Sequence, residues 1–168
     1  MYWHNIDFLG ECGNSPNPKI DGGNPMEYKL TILGRLDALN DYTAANRRNY
    51  HVGGDMKKDN ENIIIWAIRN QLKNLHILNP VIIHYKFFEK DRRRDNDNIL
   101  SCAAKFVQDS LVKTKVLQND NQKCIHRFWF DTYIDQKNPR IEVTIIEITK
   151  EQTKLSLCEL LKQLKVGD

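Results

Sequence analysis

Apolar and polar positions alternate from Tyr28 to Gly34, with Tyr28, Leu30 and Ile32 set against Lys29 and Thr31. A period of two marks a half-buried strand. Ile64, Ala67, Ile68, Gln71, Leu72 and Leu75 then recur at intervals of three and four, which predicts a long helix over residues 57–74 that stops before Pro80. Residues 81–88 are an apolar, β-rich run between that proline and the charged stretch 89–94, and they predict a central strand. Ile99, Ala103, Phe106, Val107, Ser110 and Leu111 form the apolar face of a second helix, and Lys105 falls off that stripe. Residues 125–134 and 140–149 are two further strands. The turn-rich word Gln136, Lys137, Asn138, Pro139 between them predicts a hairpin. Within the first of these strands Trp129 and Tyr133 face opposite to Phe128 and Phe130. Leu157, Leu160, Leu161 and Leu164 predict a C-terminal helix over residues 151–166, which needs an apolar surface to lie on. Residues 1–26 are rich in Gly, Asn and Pro and have no period, so a disordered extension or upstream sequence read in frame is expected there; Trp3 and Phe8 leave room for a docking arm. The elements predict a small single domain of α/β composition and α+β type.

Composition adds bounds. The 168 residues are 40% apolar and 28% charged, ordinary for one globular domain with a core, and the net charge of +3 leaves any nucleic-acid binding to local patches. No apolar run approaches the length of a membrane span, and the N-terminus lacks the basic-then-apolar order of a signal peptide, so a cytoplasmic protein without a membrane partner is expected. Cys12, Cys102, Cys124 and Cys158 contain no CxxC pair, which argues against a zinc ribbon or a disulfide framework and predicts buried thiols. Cys124 and His126 would share one strand face, but two ligands alone do not make a metal site.

The candidate chemistry lies in KDRRRDNDNILSCAAKFVQDSLVKTKVLQNDNQ, residues 90–122. Asp95 and Asp97 follow an arginine run. In an extended approach to the second helix they would share a face, with Asp97 near the N-cap. Carboxylates brought together repel unless a hard cation neutralises them, and magnesium favours one or two carboxylates with waters and phosphate oxygens. Arg92, Arg93 and Arg94 suit forked hydrogen bonds to phosphate. Read from residue types alone, the same stretch also fits a solvated turn with an ion-pair network. Residues 40–58 read as a mobile basic arm in which Arg47, Arg48, Lys57 and Lys58 alternate with Tyr42, Tyr50 and His51, cations for phosphates and rings for bases. Gly53 and Gly54 lend it flexibility, but no GxxxxGK[ST] is present, so no nucleotide cofactor is expected.

RRRDNDNI at residues 92–99, KFVQDSLV at 105–112 and VLQNDNQ at 116–122 resemble the RusA family of Holliday junction resolvases. LNDYTAANRRN at 39–49 and GGDMKKDNE at 53–61 resemble its phage and prophage branch. The likeness runs over about residues 27–149. It implies a mixed four-stranded sheet packed by two main helices, with the C-terminal helix as an extension at residues 150–168. It also implies that Asp95, Asp97 and Asp120 bind Mg2+, with Mn2+ able to substitute, and that Lys105 offsets the charge building on the phosphorus. The implied activity is cleavage of four-way junction DNA by a homodimer, in a bacterial host and phage or prophage encoded. In the enteric form of the family an essential lysine lies four residues after the second aspartate, where this chain has Ser101. Counting back from Asp109 selects Lys105 instead, about one helical turn further on. Asn119 and Asp120 stand where an acid pair is usual, which leaves Asp120 as the carboxylate. Two other readings stay open: a non-catalytic phage regulator that binds branched DNA by shape, and a broader metal nuclease acting on flaps or single strands.

Overall fold

The structure, a computed structural model, describes residues 26–164. In chain order it holds strand β1 (Glu27–Leu33), helices α1 (Leu39–Arg48) and α2 (Tyr50–Gln71), strand β2 (Val81–Glu89) and helix α3 (Asn96–Lys113). Strands β3 (Ile125–Ile134) and β4 (Arg140–Glu147), a 3-10 turn (Gln152–Lys154) and helix α4 (Leu157–Leu164) follow. The four strands form one mixed sheet in the order β1-β4-β2-β3. β1 and β2 both run antiparallel to β4, and β2 runs parallel to β3.

β2 is central because both of its faces carry apolar side chains. Val81, Ile83, Tyr85 and Phe87 meet α2 and α3, and Ile82 on the other face is also fully buried. Joining parallel neighbours β2 and β3 requires a crossover, and α3 supplies it by running back over the sheet. The start of α3 therefore stands at the carboxyl ends of β2 and β3. Ile99, Ala103, Phe106, Val107 and Leu111 of α3 and Ile64, Ala67 and Ile68 of α2 fill the main core, on the stripes expected from sequence.

Several expectations need correction. β3 and β4 do not form a hairpin, since β2 lies between them. The turn-rich word instead carries the chain across the end of β2, where the Asp135 N–H donates to the Glu89 carbonyl at 2.8 Å. A hairpin would have pushed the most apolar strand to an edge. Residues 40–58 are not a mobile arm but α1 and the first part of α2, broken at Asn49, whose extended backbone (φ −163, ψ 130) and side chain cap α2 through the His51 N–H. Ala45 is buried, and the Tyr42 ring meets Phe106 edge-on with centroids 6.0 Å apart, so Tyr42 belongs to the core side and not to a nucleic-acid surface. Gly53 serves close packing there, because a Cβ on it would fall 2.0 Å from Asn46 Oδ1.

The C-terminal segment is likewise two pieces, the 3-10 turn and α4. Ser156 restarts the helix with a reciprocal cap, its Oγ accepting from the Glu159 N–H at 3.3 Å and its N–H donating to Glu159 Oε2 at 2.9 Å. α4 lies on the second face of the sheet, where Leu160 and Leu164 join Ile82, Ile146 and Ile148, with Trp129 beside them. Of the described thiols Cys102 is buried, Cys124 is half-buried and Cys158 is exposed. Cys12, Trp3 and Phe8 lie outside the described residues.

Candidate active site

Asp95 is the N-cap of α3 in extended conformation (φ −74, ψ 146), but its side chain makes no capping hydrogen bond. Asn96 is already helical, so Asp95 and Asp97 do not share the face of an extended segment; they flank the first turn of the helix. Both carboxylates are exposed and, among the described residues, have no ion-pair partner. The partial positive charge of a helix start favours anions there.

Asp95 lines a pocket of about 580 Å³ together with Glu89, Asp91, Arg92, Arg94 and the end of β3 from Thr132 to Ile134. The carboxyl ends of parallel strands are where ligands bind in open sheets with crossover helices. Glu89 was missed by the sequence reading. It falls on the inward parity of β2 after Tyr85 and Phe87 and is 5% exposed. Arg35 Nε lies 3.2 Å from its Oε2 and Arg94 Nη1 3.4 Å from its Oε1, and Oε2 makes no hydrogen bond. Arg94 also donates to the Leu36 carbonyl at 2.8 Å, so it braces the pocket wall, whereas Arg92 and Arg93 are exposed.

Asp120 sits elsewhere. Its Oδ2 accepts from Lys105 Nζ at 2.6 Å, and the same ammonium lies 2.7 Å from Asp109 Oδ1. Lys105 is eight residues past Asp97, about 12 Å of helix rise, so one subunit holds the predicted acids as two groups. Among the described residues no three Asp, Glu, His or Cys side chains stand close enough to hold a metal ion together. The hydrogen bonds to Asp109 and Asp120 push Lys105 up to about 12. Burial pulls Asp109 upward, but its bonds to Lys105 and Lys57 outweigh that and leave it below the usual carboxylate value. Asp109 could have been found from its i,i+4 spacing to Lys105.

Lys57 Nζ donates to Asp109 at 2.8 Å and lies 3.6 Å from Glu61, so it shares Asp109 with Lys105. Arg47 and Arg48 in the last turn of α1, and Lys58 on α2, are exposed. Compared with models of protein families and with curated proteins, the chain matches none.

Proposed function

We propose that this protein is a magnesium-dependent endodeoxyribonuclease that cuts branched DNA, with the four-way junction as its substrate. The observation that carries the reading is the pair of exposed carboxylates, Asp95 and Asp97, without an ion-pair partner among the described residues, at a helix start with no side-chain cap beside a pocket at the carboxyl ends of two parallel strands. Hard oxygen donors of this kind fit magnesium, or manganese in its place, which needs only one or two carboxylates with waters and phosphate oxygens. Asp95 and Asp97 would hold the ion. When bound, it supplies a water of lowered pKa and neutralises charge on the phosphate. Arg92 and Arg93 grip the DNA backbone near the cut, and Arg94, tied to Glu89 and Leu36, keeps the approach to α3 in place. Asp109 and Asp120 hold Lys105 ready as the cation for the reacting phosphate, which it reaches by swinging toward the start of α3, the direction in which helical side chains lean.

A junction needs two opposed cuts, which a homodimer with one site per subunit makes. The sheet supports a second copy at β3. On β1 the edge is blunted by Gln71, whose amide accepts from the Thr31 N–H at 2.8 Å and donates to its carbonyl at 2.7 Å. The outer edge of β3 pairs with no strand of the sheet and exposes Phe128, Tyr133 and Ile134.

The test is cleavage of labelled four-way, forked and linear DNA with and without magnesium, beside Asp97→Asn. Cleavage of the four-way DNA that needs magnesium, and that disappears in Asp97→Asn while binding holds or tightens, is the expected result. Wild-type rates in the variant would refute the site, and preferential cutting of forks would favour the flap nuclease.

A further inference from the structure

At the far end of α3 from Asp95 a second pocket, of about 480 Å³, opens between the closing turns of α2 and α3. Arg69, His76, Lys113 and Lys115 line it, and no acidic side chain of the described residues does. Neither residues 62–88 nor residues 110–119 contain an Asp or Glu, so positive charge predominates at this end. Lys113 is balanced by buried Glu61, but Arg69 and Lys115 have no ion-pair partner among the described residues.

Cations in the last turns of helices are ordinarily explained by the helix dipole, and that accounts for Arg69 and Lys113. Lys115 is different. The Val116 N–H donates to the Leu111 carbonyl and the Lys115 N–H to the Val112 carbonyl, both at 2.9 Å, which is the paired closure that ends a helix on a left-handed residue. Glycine is preferred at that position because a Cβ is penalised there, yet this chain holds a lysine at φ +62. Backbone strain at a charged residue over a pocket points from geometry toward function. His76 is fixed beside it, since its Nδ1 lies 2.6 Å from the Lys115 carbonyl. A carbonyl only accepts, so Nδ1 donates, and the bond holds the imidazole ring against the strained Lys115 backbone.

We propose that this pocket binds the phosphodiester backbone of nucleic acid, as a contact separate from the candidate active site. The 18 residues of α3 put the two about 27 Å apart, or roughly eight steps along a duplex that rises about 3.4 Å per base pair. Nothing in this assignment depends on cleavage.

The experiment is fluorescence anisotropy of a labelled linear duplex in EDTA, titrated with salt, for the wild type and Arg69→Gln/Lys115→Gly. Replacing Lys115 by glycine relieves the left-handed strain, so the thermal midpoint of Lys115→Gly alone should hold or rise, which separates lost charge from lost folding. The double variant should bind about tenfold more weakly, and its slope of log affinity against log salt should shrink by about two, near 0.9 per lost phosphate contact. Unchanged affinity and slope would overturn the proposal. Sodium phosphate at matched ionic strength should compete no better than chloride; selective competition would make this a small-anion site and overturn the nucleic-acid assignment. Because cutting is not read, a protein that binds duplex through these residues but leaves junctions intact would refute the nuclease reading and keep this one.

Discussion

Lys105 is the residue on which sequence and geometry pull apart. The resemblance makes it the cation of the reaction, whereas the structure shows its ammonium between Asp109 and Asp120, about 12 Å along α3 from Asp97. The two are compatible if Asp109 and Asp120 store the lysine and incoming phosphate draws it away, since a phosphate competes with carboxylates for the same ammonium. Losing one preorganised charge at a transition state reduces rates by about 10² to 10³. Lys105→Ala should therefore lower single-turnover cleavage by that order with little change in junction affinity, and Ser101→Ala should be mild. Ser101 lies a turn nearer to Asp97 and its hydroxyl donates to the Asp97 carbonyl at 2.6 Å. Recovery of cleavage by Ser101→Lys in the Lys105→Ala background would place the cation a turn nearer the acids, and an unchanged rate in Lys105→Ala would remove the lysine from the chemistry.

Among the elements, those whose burial is decided by one face were legible from sequence. β1, α3 and the apolar stripe of α2 carry periods that a single neighbour layer imposes, β2 reads as a continuous apolar run because both of its faces are covered, and Ile64, Ala67 and Ile68 are buried as their spacing predicts. What failed depended on partners remote in sequence. The word at residues 136–139 specifies a turn, but not which strand will lie between its arms. In α1 the contacts of Ala45 and Tyr42 are made by α2 and α3, and the glycine pair masked the helix by composition. At the site, Asp95 and Asp97 were legible as neighbours, whereas Asp120 was assigned to them by resemblance and its partner Lys105 could be found only in space. The glycines give a direct test of the helix. A Cβ on Gly54 would meet nothing within 4 Å, while one on Gly53 would collide with Asn46, whose Nδ2 donates to the Tyr42 carbonyl at 3.0 Å. Gly54→Ala should raise stability by roughly 0.5–1 kcal/mol, the helix-interior gain of alanine over glycine, and Gly53→Ala should fall short of that by what it takes to displace Asn46. Denaturant midpoints of the two variants would check this, and an equal gain at both would mean that α1 and α2 do not pack as described.

On the scale of the whole molecule, the sheet is covered unequally. α2 and α3 seal one face, and on the other, among the described residues, α4 covers the end where Ile82, Ile146 and Ile148 emerge. No helix among the described residues is long and apolar enough to cross a membrane; the apolar side of α4 packs on this sheet through Leu160 and Leu164. α4 lies outside the stretch that resembles the junction resolvases, yet Leu160 is fully buried and Leu164 is 5% exposed. Full burial of one such side chain contributes about 1.5–3 kcal/mol, an upper estimate because the unfolded chain is partly compact. A chain ending at Thr149 should thus lose several kcal/mol, a large part of a small domain's stability. It should also expose Trp129, which stacks on His84 with ring centroids 4.6 Å apart under the same cover. Urea unfolding would give the loss, and a red shift of tryptophan emission would report the uncovered face. The candidate site is at the other end of β3 from this cover, and the basic pocket lies between α2 and α3 on the opposite face of the sheet, so duplex binding and cleavage, normalised to folded protein, should be retained. A truncated chain with wild-type stability and unshifted emission would show that α4 does not hold the sheet.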